Sequence, residues 1–199
     1  MKDVNLFGME DSVWLKRVSR KADVLKGDSC DWYLIESSEK ESRRIVESLK
    51  GSGKKIGVVG GDDAFNRRVV ETLKIDYLVS PEDGLKKDSL KQRDSGINHV
   101  VAKLAKEKGV LIVVDMGEVR RLASLAAGSG QRAAGKKVLA LRLSRIMQNV
   151  RVCRKAGCGI RIGSFGSKKS EVFGEKERRA FGFSLGMSSK QVADCVLFD

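Results

Sequence analysis

Proline, histidine and aromatic side chains are scarce in this chain. In 199 residues there is one proline, Pro81, one histidine, His99, and only 6 % Phe, Trp and Tyr. A single histidine cannot supply the several imidazoles that a metal-dependent phosphoesterase barrel converges on its metal. Few aromatics leave little to stack splayed single-stranded bases on. No apolar run approaches the ~18 residues of a membrane span. The first residues, MKDVNLFGMEDSVWLKR, carry acids where a secretory leader has a basic region and an apolar core. We therefore expect a cytoplasmic protein without a membrane partner. Cysteine is also sparse: Cys30, Cys153, Cys158 and Cys195 form no CxxC pair and read as buried free thiols.

The most informative absence is local. Residues 119–170 contain no aspartate and no glutamate, yet they hold thirteen of the 39 Lys and Arg. Outside them 26 basic residues face 26 acidic ones, so this stretch carries the whole net charge of +13. A salt- or heat-adapted surface would scatter such charge. An acid-free block raises a local field and points to a polyanionic partner.

Elsewhere β-rich runs alternate with helical patterns. Residues 31–36, 55–59, 75–79, 110–114 and 159–163 read as strands, with 4–7 and 195–198 as the first and last. Helices are expected after 36, from the Asp62–Asp63 cap, over 94–108, 118–127 and 138–155, and near 175–185 and 188–193. Residues 110–114, VLIVV, are apolar throughout, as a strand covered on both faces must be. Strand-then-helix alternation demands parallel pairing. An open doubly wound sheet or a closed barrel both fit; the even spacing of about seven units favours a single TIM-barrel-like domain over 1–199, smaller than the usual ~250 residues. The Gly/Ser/Ala run 128–137 is expected to be a flexible loop.

Catalytic sets are not evident. Glu36 and Asp115 stand at strand ends but read as caps or ion-pair members. GSGKK at 51–55 lacks the first Gly and the final Ser/Thr of a phosphate loop and follows a helix, so it reads as a helix-to-strand turn. Gly57 to Gly61 makes no dinucleotide fingerprint. The loop 163–169, GSFGSKK, follows a strand and offers amides, hydroxyls, Lys168 and Lys169 to a phosphate, from an RNA backbone or from a small substrate.

Two helices promise basic stripes. At 100° per residue, Leu139, Leu143, Ile146, Met147, Val150 and Cys153 share the core arc of helix 138–155. Arg142 and Arg154 then flank the arc, while Arg145, Arg151 and Lys155 point outward beside Leu141, whose apolar side chain hints at a protein contact. On helix 94–108, His99, Lys103 and Lys106 lie opposite Ile97, Val100, Val101 and Leu104, with Lys108 at its end. Stripes of this kind hold polyphosphate backbones through charge and counterion release, and favour a folded RNA recognised by shape. No helix-turn-helix or basic-zipper pattern suggests DNA.

The segments KIDYLVSP (74–81), RDSGINHVVAKLAKEKG (93–109), VLIVV (110–114) and LRLSRIMQNV (141–150), with the strand ending at Ser164 and then Leu185-Gly186-Met187, resemble the archaeal ribonuclease P protein component three family. The likeness runs from about 74 to 196, is most specific in GINHVVAKL, and before Lys74 keeps only the strand–helix rhythm. It implies a TIM-barrel-like fold related to the polymerase-and-histidinol-phosphatase superfamily without that superfamily's metal site. It implies an accessory role beside a catalytic, Mg²⁺-dependent RNA that removes 5′ leaders from precursor tRNA, with the small component-two protein as partner. His99, Lys103, Lys108 and Lys155 match family positions. Phe173 stands where the family shows an Arg, leaving Arg178 or Lys176 to take that place. The alternatives are a barrel enzyme acting on a small phosphorylated substrate through 163–169, and another RNA-associated structural protein.

Overall fold

In a computed structural model, which describes residues 3–5, 12–25, 27–83, 94–128 and 132–198, the sequence's alternation becomes a seven-stranded all-parallel sheet in sequential order. The strands are β1 (Val4–Asn5), β2 (Val13–Val18), β3 (Trp32–Ile35), β4 (Lys55–Val59), β5 (Tyr77–Val79), β6 (Leu111–Asp115) and β7 (Ile160–Gly163). The helices are α1 (Glu39–Ser48), α2 (Asp63–Thr72), α3 (His99–Lys108), α4 (Met116–Ala127), α5 (Arg132–Ala156), α6 (Glu175–Ser184) and α7 (Ser189–Asp194).

Side chains alternate along each strand, so every strand feeds two cores. Val13, Leu15, Trp32, Leu34, Tyr77, Val79 and Val113 point inward and fill the barrel. Tyr33, Ile35, Ile56, Val58, Leu78, Ile112, Ile160 and Ile162 point outward beneath the helices. A parallel bridge between Asn5 and Gly166, with the Phe165 amide donating to the Val4 carbonyl at 3.0 Å, joins the end of β7 to β1. The barrel is therefore nearly closed with seven strands. The tail fills part of the missing unit: the Ile162 amide donates to Cys195 O at 2.7 Å and Arg161 Nε to Leu197 O at 2.7 Å. Phe198 then reaches under the barrel, its ring 5.5 Å from that of Trp32, which stacks on Tyr77 at 3.8 Å.

Three expectations need correction. Residues 195–198 are not a strand, and β2 takes their place in the count, hidden from sequence reading by the charged Lys16 and Arg17 within VWLKRV. Residues 94–98 precede the helix, because the Asn98 side chain accepts from the Val100 and Val101 amides and caps α3 there. Of the supposed loop 128–137, the part from Arg132 onward is the first turn and a half of α5; residues 129–131 lie outside the described residues. Leu6 and Phe7, read into the first strand, also lie outside them. All four cysteines are buried free thiols, as expected.

Candidate nucleic-acid interface

Helices α3 and α5 lie side by side against the barrel. Val101, Ala102 and Ala105 bury one face of α3, whereas Val100, expected to face inward with them, is 47 % exposed in the helix's first turn. Ile146, Val150 and Cys153 bury one face of α5. This leaves His99, Lys103, Lys106 and Lys108 exposed on α3, and Arg151, Arg154 and Lys155 exposed on α5. Gly157, in the turn after α5, has so little room beside it that a Cβ would meet the Lys106 ammonium at 3.1 Å. Lys106 therefore lies over the end of α5, next to Arg154 and Lys155, and the two stripes form one face.

Among the described residues, Lys103, Lys106, Arg151, Arg154 and Lys155 form no ion pair. Lys108 donates to the Glu71 carbonyl. The neighbouring helices differ. On α1 and α2, Glu39 pairs with Arg68 at 2.5 Å and Arg43 at 3.6 Å, Glu41 with Arg44 at 3.2 Å and Glu71 with Arg67 at 3.5 Å. Helices whose exposed ion pairs largely neutralise one another thus adjoin a pair whose cations face water.

Two arginines expected off the core arc of α5 are not on that face. Arg142 and Arg145 are 8 % and 4 % exposed. A helix lying on one core has a single buried face, but α5 is packed by α3 on one side and by α4 on the other. Arg142 instead reaches the mouth of the barrel, 3.2 Å from Glu82 Oε1, and pairs with Asp83. Leu141 is half-buried, so it offers less surface to a partner than the wheel implied.

The mouth holds a cavity of about 230 Å³ lined by Arg17, Glu36, Ser80, Asp83, Asp115 and Arg121, among others. Its acids are already engaged. Glu36 pairs with Arg17 at 2.6 Å, and the Asp115 carboxylate accepts the Glu118 amide at 2.9 Å to cap α4. Burial raises Asp115 to about 6. Burial raises Glu82 to about 7 against the pull of Arg142. Among the described residues no group of three or more His, Cys, Asp or Glu could hold a metal ion.

The loop 163–169 is less open to phosphate than its sequence suggested. Its Ser164 amide donates to Asp3 Oδ1 at 3.2 Å and its Phe165 amide to Val4 O at 3.0 Å. Its Ser167 amide donates to Glu171 Oε2 at 2.9 Å, and Lys168 lies 3.6 Å from the same carboxylate. The loop already holds an anion of its own, and Lys169 alone stays exposed without an ion pair among the described residues. Arg178 does not replace the family's arginine: it is 1 % exposed and bonds Asp3 at 3.3 Å and Ile162 O at 3.2 Å. Arg120 lies over the Phe173 ring at 5.5 Å instead, and Lys176 is exposed.

Comparison with known proteins gives the same resemblance that the residues carried. Over 131 residues, 60 % of this chain and 53 % of the relative, the chain is 24 % identical to ribonuclease P protein component 3 of Methanococcus maripaludis strain S2. Over 64 residues, 32 % and 22 % of the two chains, it is 41 % identical to ribonuclease P protein component 3 of Halorubrum lacusprofundi. The matched segments span about half or less of those relatives' length. No family model matches. A chain in a cryo-EM structure of archaeal ribonuclease P with mature tRNA superposes with a TM-score of 0.68 at 21 % identity, covering 98 % of this chain and 87 % of that one. That likeness supports the TIM-barrel-like fold. Among the described residues no helix is long and apolar enough to cross a membrane.

Proposed function

We propose that this chain is a protein subunit of an archaeal-type ribonuclease P, itself non-catalytic, that holds the enzyme's RNA on the α3–α5 face. The observation that carries the reading is that face: Lys103, Lys106, Arg151, Arg154 and Lys155 on adjacent helices, without ion pairs among the described residues. A phosphodiester backbone supplies the anions these cations lack. In this reading the RNA, with its Mg²⁺, cleaves the 5′ leader from precursor tRNA in the cytoplasm, and the component-two protein is the neighbouring subunit. His99 and Lys108, at the two ends of α3, border the same surface. The enzyme reading is the weaker one. It needs a phosphate cradle at 163–169, where three amides are committed.

Reconstitution tests the proposal. Precursor-tRNA cleavage is measured with a cognate ribonuclease P RNA and component-two protein at fixed Mg²⁺, with and without this chain. Cleavage should rise on its addition, and the chain alone should cleave nothing. No effect with a confirmed cognate RNA and partner would reduce the likeness to one of fold. Neutralising Lys103, Lys106, Arg154 and Lys155 together should flatten the dependence of log affinity on log salt by roughly 3–4, at about 0.7–0.9 per lost phosphate contact.

A further inference from the structure

We infer that a second RNA contact lies at the N-terminal end of the barrel, in the groove between the ends of α1 and α2. This inference rests on the RNA-binding reading and extends it to a part of the chain where the family resemblance is weakest. The groove measures about 800 Å³, the size of a site that encloses a nucleotide-sized group. Its rim carries Arg43, Lys50, Lys54, Lys55, Lys74 and Lys108, with the acids Glu47 and Asp76 among them and Arg43 paired to Glu39 on α1. Its floor is apolar core, with Val46, Leu49, Leu73 and Ile75 closing it from below.

The rim is built for approach. Gly51 and Gly53, at φ of 78° and 71°, form the turn after α1, and nothing lies within 4 Å of where a Cβ would stand on either. A strand of RNA can reach that backbone closely. The two acids are each spoken for: Glu47 lies 3.2 Å from Lys50, and Asp76 3.4 Å from Lys55. Lys74 is exposed and makes no ion pair among the described residues. Lys54 lines the groove with its ammonium donating to the Cys30 carbonyl at 2.5 Å.

Position links the groove to the first surface. Helices antiparallel to the strands bring the ends of α1, α2, α3 and α5 to one end of the barrel. Lys108 closes α3 and also lines the groove, and Lys106 lies over the end of α5. A basic belt therefore runs from Lys50 through Lys74 and Lys108 to Lys155. Neighbouring helices pack ~10 Å apart, so the belt spans on the order of 30 Å across four helices. That reach suits one RNA segment with phosphates along the rim and a ribose or base against the apolar floor.

Lysine footprinting tests this on the full chain. The chain is acetylated with an N-hydroxysuccinimide ester with and without a transcript of ribonuclease P RNA, and each lysine is read by mass spectrometry. We expect Lys50, Lys54 and Lys74 to be protected together with Lys103, Lys106 and Lys155. Protection of the α3–α5 lysines alone overturns the groove and leaves the first surface standing. Protection of none overturns the RNA reading and the groove with it. Equal protection of the groove by inorganic phosphate at the same phosphate concentration overturns an RNA-specific contact. Independently, a K50E/K74E variant should keep its melting temperature and lose ~10–30-fold in RNA affinity at 0.15 M salt, the value of two phosphate contacts relative to 1 M. An affinity within twofold of the parent overturns the inference.

Discussion

Arg142 separates burial from surface charge most sharply. From sequence it belonged to an RNA-facing stripe, where removal should weaken RNA binding and spare the fold. In the structure its side chain is 9 % exposed and faces Glu82, whose side chain is 1 % exposed. Replacing Arg142 with Ala leaves a buried carboxylate beside no cation, and breaking a buried pair in this way costs roughly 3–5 kcal/mol while the carboxylate is charged. Glu82 can escape part of that cost by taking up a proton. Burial already holds it near 7 with Arg142 present, and losing the cation moves it higher. The penalty therefore depends on pH. At pH 8 ionised Glu82 dominates the wild-type state, and Arg142→Ala should lower Tm by ~6–20 °C, at 2–4 °C per kcal/mol for a domain of this size. At pH 5.5 Glu82 is protonated in both proteins. Only the packing and the Asp83 contact are lost then, and the drop should shrink to less than half.

The assay is thermal unfolding of both proteins across pH 5–8, with RNA affinity measured well below either Tm. Affinity should stay within about threefold. The double variant Arg142→Met, Glu82→Gln should recover most of the Tm, because replacing both partners removes the uncompensated charge. A Tm unchanged at pH 8 together with a tenfold loss of RNA affinity would falsify the burial argument and return Arg142 to the surface.

Glu82→Gln alone gives the matching pH test. A carboxyl raised from its ordinary 4.5 to about 7 binds its proton more tightly when folded, so its contribution is full below ~4.5 and is lost as pH rises to 7. Wild-type Tm should fall over that window, and the variant's curve should be flatter. Gly96→Ala should abolish folding or cost more than ~3 kcal/mol in a urea melt, since φ is 83° and a Cβ would stand 1.9 Å from the Pro81 carbonyl oxygen. Phe198→Ala should cost ~3–5 kcal/mol in the same assay by emptying the floor of the barrel beside Trp32 and Tyr77; a loss under 1 kcal/mol would mean that the tail does not plug the barrel.

The barrel was legible because its strands are short apolar runs separated by helix caps, and those signals are local. Asp62 at the start of α2 and Gly109 at the end of α3 act within a few residues, so they could be read from sequence. β2 escaped because one of its faces meets the mouth of the barrel: Arg17 there looks like a loop residue until Glu36 is placed beside it. The tail's role was equally hidden. Nothing near Phe198 announces that Trp32 and Tyr77, more than a hundred residues earlier, share its pocket. The candidate site divided on the same principle. Exposure of Lys103 or Lys155 follows from one helix against one core, whereas burial of Arg142 and Arg145 depends on α4 covering a second side of α5, a fact of tertiary packing alone.

One physical alternative accounts for part of the basic face without RNA. Cations near a helix C-terminus are favoured by the macrodipole, by ~0.3–1 kcal/mol each. Lys106 and Lys108 close α3, and Arg154 and Lys155 close α5, so all four gain from it. Lys103 sits in the middle of α3 and Arg151 lies more than a turn before the end of α5, beyond the reach of that effect. Neither has a carboxylate partner among the described residues, and each adds repulsion to the face it joins. The macrodipole gives no reason to keep them there; a polyanion would. Lys103→Gln with Arg151→Gln is therefore the most discriminating pair on this surface. RNA affinity should drop several-fold with Tm unchanged or slightly raised, and a lowered Tm with intact affinity would assign the face to helix stability.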